Sequence, residues 1–309
     1  MITPKPFINA RRDTPCPICG KTSWCGFNDE IAVCMRVSSG REVNNGGWLH
    51  KLDNVFTSYV PPKTRSNVKR KPDEFIDMVY REFIRILPLS EDHLQSLLER
   101  GMAEEEIRRR QYRTTPKDRH ADSLGEKFNL YGVPGFFKEN GRWKCVAAQG
   151  ILIPVKNERR QIVGFQIRLD RKADNKKYVW FSSAKMGGST PGPRIHVAMP
   201  QKIKIPDLVW ITEGPLKADI AAERLGFPVL GVPGVNCWKS AIEVVKNLNP
   251  ERAVVAYDSD YHKKQVSIHA RALVDELKKH YKTGVALWPE EKGLDDALVA
   301  GVSIKVKVV

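Results

Sequence analysis

Two apolar runs in the C-terminal third of the chain end abruptly in acids. Val209, Trp210, Ile211 and Thr212 lead into Glu213 and Gly214, and Ala253, Val254, Val255, Ala256 and Tyr257 lead into Asp258, Ser259 and Asp260. Unbroken hydrophobic runs of this length read as strands buried on both faces, as in a parallel sheet. Between and after them the apolar spacing turns helical. The predicted order is strand 208–212, helix 215–225, strand 229–232, helix 239–248, strand 253–257 and helix 266–281, the alternation of successive βαβ units. In the last helix Val266, Ala270, Leu273, Leu277 and Tyr281 fall on one face and belong to the core. The pattern predicts an α/β fold with a parallel-sheet core.

Upstream the pattern changes twice. A helix over 72–87 presents Ile76, Val79, Phe83 and Ile86 on one face. Ser90 then caps a second helix carrying Leu94, Leu97 and Leu98, which Gly101 closes, and a short third helix covers 104–111. From Gly150 the chain becomes strand-like: 151–155, a turn at 157–160, 162–168 and 178–181, followed by a Gly/Pro loop over 187–193. The expected organisation has five parts. They are a small module at 1–58, a basic linker at 59–72, a helical connector at 73–149, a basic β-rich subdomain at 150–205 and the α/β domain at 206–309.

The N-terminal module is defined by cysteine. Of six cysteines in the chain, four lie within residues 16–34. Cys16 and Cys19 are three apart before Gly20, the spacing of a zinc knuckle. A two-residue turn at Asp29 and Glu30 would set Cys25 directly across from Cys34. Four cysteines make the simplest site, and His50 is the rival fourth ligand in place of Cys25. A module this small buries little core, so a structural metal would supply folding energy. Trp24, Phe27 and Trp48, with Arg36, Arg41 and Lys51, read either as a stacking, cationic surface for single strands or as the module's own core. Cys145 and Cys237 read as ordinary buried thiols.

Charge adds a partner. The net charge of +15 is concentrated: +7 falls in residues 1–72, −1 in 73–150, +9 in 151–205 and zero in 206–309. Positive charge in two blocks points to a polyanion, with nucleic acid first. Arg168, Lys176 and Lys177 are the candidate phosphate contacts. No apolar run reaches the length of a membrane span and the N-terminus lacks a signal-peptide core, so the expectation is a cytoplasmic protein without a membrane partner.

The acids supply the chemistry. In open α/β sheets the site lies off the carboxyl ends of the strands. Asp258 and Asp260 are two apart, so on an extended chain they point the same way. Hard carboxylate oxygens suit Mg²⁺ or Mn²⁺, and paired ions of this kind serve phosphoryl transfer.

Taken together, these residues resemble the DnaG-type bacterial primases, and more closely the Toprim primases of phages, plasmids and integrating elements. The Cys16 to Cys34 knuckle looks like their zinc-binding domain, and the β-rich stretch 151–182 looks like the basic subdomain before Toprim. Glu213 with Gly214, Asp258 with Asp260, and Lys292, Gly293, Leu294, Asp295 and Asp296 look like the successive Toprim acidic motifs. The resemblance covers about residues 14–50 and 130–301. It implies a Toprim-type fold in which Glu213, Asp258, Asp260 and one or both of Asp295 and Asp296 hold magnesium or manganese. Lys217, one helical turn beyond Glu213, is a phosphate contact by the same resemblance. The order of zinc ligands departs from the Cys-His-Cys-Cys common in such primases, and no Walker A motif is present. The chain then reads as the front of a longer primase-helicase or as a free-standing subunit with a replicative helicase as partner.

The leading expectation is a primase making short oligonucleotides from nucleoside triphosphates on a single-stranded DNA template. The alternatives are a Toprim nuclease using the same acids, and a non-catalytic single-strand-binding accessory protein.

Overall fold

The computed structural model describes residues 7–43, 47–52, 68–173, 176–205, 207–257, 264–288 and 293–309. Asp258 and Asp260 lie outside the described residues. The chain forms two compact units, residues 1–65 and 66–309.

The first unit is a five-stranded antiparallel sheet of β1 (Ile8–Asn9), β2 (Gly26–Phe27), β3 (Ile31–Cys34), β4 (Glu42–Val43) and β5 (Gly47–Lys51), in the order β1-β2-β3-β5-β4. The expected turn closes β2 onto β3. Asn28 accepts hydrogen bonds through Oδ1 from the Glu30 and Ile31 backbone N–H groups at 2.9 Å each, and Gly26 pairs with Val33. Phe27 belongs to the small core, whereas Trp24 stands 76% exposed. The aromatic set is therefore divided between core and surface.

The second unit begins with part of the expected linker already docked. Lys71 N–H donates to the Gly132 carbonyl at 3.0 Å, and Arg70 donates to the Val163 carbonyl at 2.8 Å. Helices α1 (Asp73–Ile86), α2 (Glu91–Glu99), α3 (Glu104–Arg110) and α4 (Asp118–Lys127) follow, with β6 (Arg113–Thr114) before α4. A hairpin, β7 (Phe136–Glu139) and β8 (Arg142–Cys145), leads to β9 (Gly150–Lys156), β10 (Ile162–Ala173) and β11 (Lys176–Trp180). The sheet runs β11-β10-β9-β6 and is antiparallel throughout. Helices and sheet share one aromatic core of Tyr80, Phe83, Phe136, Phe165 and Phe181, all buried. The Tyr80 and Phe165 rings lie 4.4 Å apart, and the Tyr80 hydroxyl donates to the Pro134 carbonyl. Gly135 sits at φ 87°, where a Cβ would fall 2.0 Å from the Phe181 ring, so only glycine closes this core. Truncating Phe165 to alanine removes a buried ring of the type worth about 3–5 kcal/mol.

The C-terminal part carries β12 (His196–Ala198), β13 (Leu208–Glu213), α5 (Pro215–Leu225), β14 (Val229–Val232), α6 (Trp238–Leu248), β15 (Arg252–Val255), α7 (Lys264–Leu277), β16 (Lys282–Leu287), α8 (Leu294–Val299) and β17 (Lys305–Val308). Its sheet runs β12-β14-β13-β15-β16-β17, with the four central strands parallel and both edge strands antiparallel. Val209, Ile211 and Val255 pack beneath α6 and α7, while Trp210, Val254 and Ala256 pack against α5 and α8. Two covered faces explain why the strands read as unbroken apolar runs. The expected helix at 266–281 ends at Leu277; Tyr281 lies beyond it, yet still packs on the same core. Among the described residues no helix is long and apolar enough to cross a membrane.

Candidate active site and metal centre

The acidic edge is built by strand order. In the parallel pairing of β13 with β15, Ile211 lies opposite Val255, so Glu213 and Tyr257 emerge at the same carboxyl edge. Burial, then the charge of Glu213, raises the Tyr257 hydroxyl well above the usual tyrosine range. Gly214 adopts φ 78°, a left-handed turn that starts α5 with Pro215 in its first position. That turn places Lys217 in the first turn of α5.

The third acidic motif arrives on α8. Its helical start separates the adjacent aspartates. Asp295 is 1% exposed and accepts a hydrogen bond through Oδ2 from Arg100 Nη2 at 2.5 Å, whereas Asp296 is exposed. The other oxygen of Asp295 is buried and has no hydrogen-bond partner among the described residues. A Cβ on Gly293 would fall 2.6 Å from Asp295 Oδ1, 3.2 Å from Asp296 Oδ2 and 3.3 Å from Lys217 Nζ. Both acids and the lysine therefore crowd one point beside Gly293.

The basic β-region contributes at one end. Arg168 lies opposite both Ile151 and Tyr178 and donates to Ser96 Oγ at 3.3 Å. Burial lowers the Lys177 ammonium, Arg168 and Arg100 lower it further, and Asp296 pulls it back up. The same groups act on Tyr178: burial raises its hydroxyl, Arg100, Arg168 and Lys217 lower it, and Asp295 raises it. Arg168, Lys177, Lys217, Asp295 and Asp296 thus share one electrostatic neighbourhood. Lys176, next along the strand, is exposed. Arg100 is the member that sequence reasoning missed, since a lone arginine at the end of an amphipathic helix carries no local signal.

Behind this edge α5 carries a second charged group. Asp219 is buried and ion-paired with Arg110; it accepts from Tyr112 Oη at 2.5 Å and from His196 Nε2 at 3.0 Å. His196 Nδ1 accepts from the Lys156 backbone N–H, so the ring proton sits on Nε2, facing Asp219. Burial alone would raise the Asp219 carboxyl, but Arg110 and His196 hold it well below the usual carboxylate range. Glu106 behaves oppositely. Burial pushes its carboxyl from 4.5 up to about 7, with Arg110 lowering it and Asp219 and Glu223 raising it. A carboxyl raised on folding contributes stability at low pH and loses it as pH climbs from about 4.5 to about 7. Glu106→Gln should therefore raise the melting temperature at pH 8 and leave it nearly unchanged at pH 4. Equal shifts at both pH values in thermal scans would show that the carboxyl ionises freely.

In the N-terminal unit, Cys16, Cys19, Cys25 and Cys34 converge, with all four sulfurs within 4.8 Å of one another. Cys25 Sγ lies 3.8 Å from Cys19 Sγ and 4.0 Å from Cys34 Sγ. Tetrahedral Zn–S bonds of about 2.3 Å set sulfurs about 3.8 Å apart. The Met35 and Val37 backbone N–H groups donate to Cys25 and Cys34 at 3.4 and 3.3 Å, as a second shell does around thiolates. The Lys21 backbone N–H draws the Cys19 thiol down to about 6, while burial pushes Cys16 up to about 12. The donor set is that of a closed structural zinc site. His50 is turned away, its Nε2 bonded to the Val37 carbonyl at 2.9 Å. Arg36, read as a nucleic-acid contact, reaches Ser23 O at 2.8 Å and Cys25 Sγ at 3.5 Å. Cys145 is buried as expected, but Cys237 is only half-buried.

Comparison with solved structures places the fold. The Aquifex aeolicus primase, comprising zinc-binding and RNA polymerase domains, is similar with a TM-score of 0.55 at 15% identity, over 75% of this chain and 62% of that one. The Mycobacterium tuberculosis DnaG RNA polymerase domain, in complex with double-stranded DNA bearing a 6-nucleotide overhang, gives 0.56 at 15% identity, over 76% and 82%. A DnaG catalytic domain bound to single-stranded DNA gives 0.52 at 12%, over 75% and 80%. The fold is DnaG-like. The chain spans less than two thirds of the Aquifex protein's length. The DnaG-like sheet also coincides with a family model described as a domain of unknown function (DUF3854), which matches residues 198–304. No curated protein matches the chain in sequence.

Proposed function

We propose that this chain is a primase-type nucleotidyltransferase, extending short oligonucleotides on a single-stranded DNA template. One observation carries the reading: a DnaG-like sheet gathers Glu213, Lys217, Asp295 and Asp296 at its carboxyl edge, with Arg168 and Lys177 beside them. The donor set fits a hard divalent cation, because the edge offers carboxylate oxygens, and Asp295 adds a buried oxygen with no hydrogen-bond partner among the described residues, open to the same ion while its other oxygen holds Arg100. In this reading Glu213, Asp258, Asp260 and Asp296 hold Mg²⁺ or Mn²⁺. Such an ion supplies positive charge against the phosphate oxygens and the attacking 3′-hydroxyl. Glu213 is ligand or acceptor of the hydroxyl proton. Lys217, Arg168 and Lys177 hold phosphates of the nucleotide or template, and Asp295 fixes Arg100. Trp24, exposed in the zinc module, offers a stacking platform for a template base.

The test is the full chain with a single-stranded template, labelled nucleoside triphosphates and Mg²⁺ or Mn²⁺. New oligonucleotides support the proposal. A shortened template assigns the same acids to a nuclease, and binding alone assigns the protein to the accessory class.

Zinc at about one ion per chain is expected in gently purified protein, bound by the four cysteines. Cys34→Ser and Cys25→Ser should each release it, whereas His50→Ala should retain it. Metal analysis decides, and loss of zinc from the His50 variant with retention in the Cys25 variant would reverse the ligand assignment.

A further inference from the structure

The basic block at 151–205 is not one surface. On the β9–β10 ribbon, Arg168 lies opposite Ile151 at one end, while Lys156 lies opposite Ile162 at the other. Five steps of about 3.4 Å separate these ends by about 17 Å. Lys156 and Arg160 therefore stand far from the acidic edge, and the proposed reaction makes no use of them.

At that far end is a cavity of about 460 Å³ lined by Arg81, Arg109, Arg110, Lys156 and Arg160, with no acid among its lining residues. Arg81, Arg109 and Arg110 are already paired, with Asp77, Glu223 and Asp219 respectively. Lys156 and Arg160 have no carboxylate partner among the described residues, and Lys156 Nζ donates to Gln111 Oε1 at 3.1 Å. Burial first, with Arg110, Arg81 and Arg109 adding to it and Asp219 opposing, lowers the Lys156 ammonium to about 8. A half-buried cation among other cations is in deficit of negative charge. Arg160 also occupies φ 61°, a left-handed turn position where glycine or asparagine is the easier choice. Val197, Met199 and Pro200 add apolar lining to the same cavity.

The geometry points to a second nucleotide site: the cavity binds a nucleoside di- or triphosphate, its phosphates on Lys156 and Arg160 and its base against Met199 and Val197. The volume lies in the range of small-molecule sites, about 300–1,000 Å³, and the concave shape suits a small ligand better than a strand. The backbone N–H groups of Asn157, Arg159, Arg160 and Gln161 are spent within the turn, so the cationic side chains carry recognition.

The experiment is calorimetric titration of the zinc-loaded full chain with ATP in buffer free of Mg²⁺ and Mn²⁺, which silences nucleotide binding that depends on divalent metal at the acidic edge. The test variant is Lys156→Met with Arg160→Gly. Methionine keeps an aliphatic stem, and glycine accepts the left-handed turn, so both replacements suit the fold; thermal scans check it. The expected result is ATP binding by wild type, weakened about tenfold or more in this variant through loss of charge-assisted hydrogen bonds. No ATP binding by wild type would overturn the assignment, as would unchanged binding by the folded test variant. A variant that loses affinity for a single-stranded oligonucleotide while binding ATP normally would also overturn it, making this end a strand path.

Discussion

Asp258→Asn and Asp260→Asn should each lower oligonucleotide synthesis by about a thousandfold, leaving the fold and single-strand binding in place. Asparagine keeps the size of the side chain, so packing survives, but the charge that attracts a divalent cation is gone. Metal-ion stabilisation of developing charge is worth several kcal/mol, and about 1.4 kcal/mol is a factor of ten in rate. Glu213→Gln should act alike, because Glu213 shares the edge with Tyr257, directly before Asp258. Raised Mn²⁺ separates two roles: it restores activity to a variant that merely binds the ion weakly, and not to one that has lost its proton acceptor. Circular dichroism and fluorescence anisotropy on a labelled oligonucleotide provide the controls. Wild-type synthesis by all three variants would make the acids structural and end the enzyme reading.

The adjacent aspartates of α8 should divide the labour. Asp295→Asn leaves Arg100 facing a neutral amide in a buried setting, and breaking such pairs costs about 3–5 kcal/mol. Asp296 is exposed, so Asp296→Asn should change stability by no more than about 0.5 kcal/mol while sharply reducing synthesis. Urea unfolding at constant m-value reads the first effect and the template assay reads the second. Replacing both Asp295 and Arg100 by apolar residues should recover much of the lost stability, as uncharged substitutes for buried pairs do. If Asp295→Asn is fully stable yet inactive, Asp295 rather than Asp296 belongs to the metal.

The α/β core was readable because both of its faces are covered. Its strands are then unbroken apolar runs, and Pro215–Leu225 and Val229–Val232 fall where the pattern put them. The edges were not readable. His196–Ala198 and Lys305–Val308 are short, and the latter alternates lysine with exposed valine, a pattern with no buried face to announce it. The hairpin Phe136–Glu139 and Arg142–Cys145 falls inside the expected helical connector, although Asn140 and Gly141, both at positive φ, are a strong two-residue turn signal. Cys25 and Cys34 were placed across from each other from turn length alone, and the strand register carries that geometry. Spacing could not decide against His50; the Val37 carbonyl that holds it is thirteen residues away. Arg100 and Asp295 are 195 residues apart, and local pattern says nothing about such a pair. The split of the basic block into two ends follows from hairpin register, which charge counting along the chain ignores.

The buried Asp219 network also bears on how this protein could be inherited or cut apart. Residues 198–304 match a sequence family by themselves, which invites treating them as a portable cassette. Yet the arginine and tyrosine that satisfy Asp219 come from Arg110 and Tyr112, and the histidine, His196, also lies outside that stretch. A fragment beginning at residue 198 would bare a carboxylate shaped for partners it no longer has, on the same helix that presents Lys217. The family boundary is therefore not a boundary of cooperativity. Residues on both sides of it should melt in one transition, and any transplant of the sheet must bring along complementary groups from its new host.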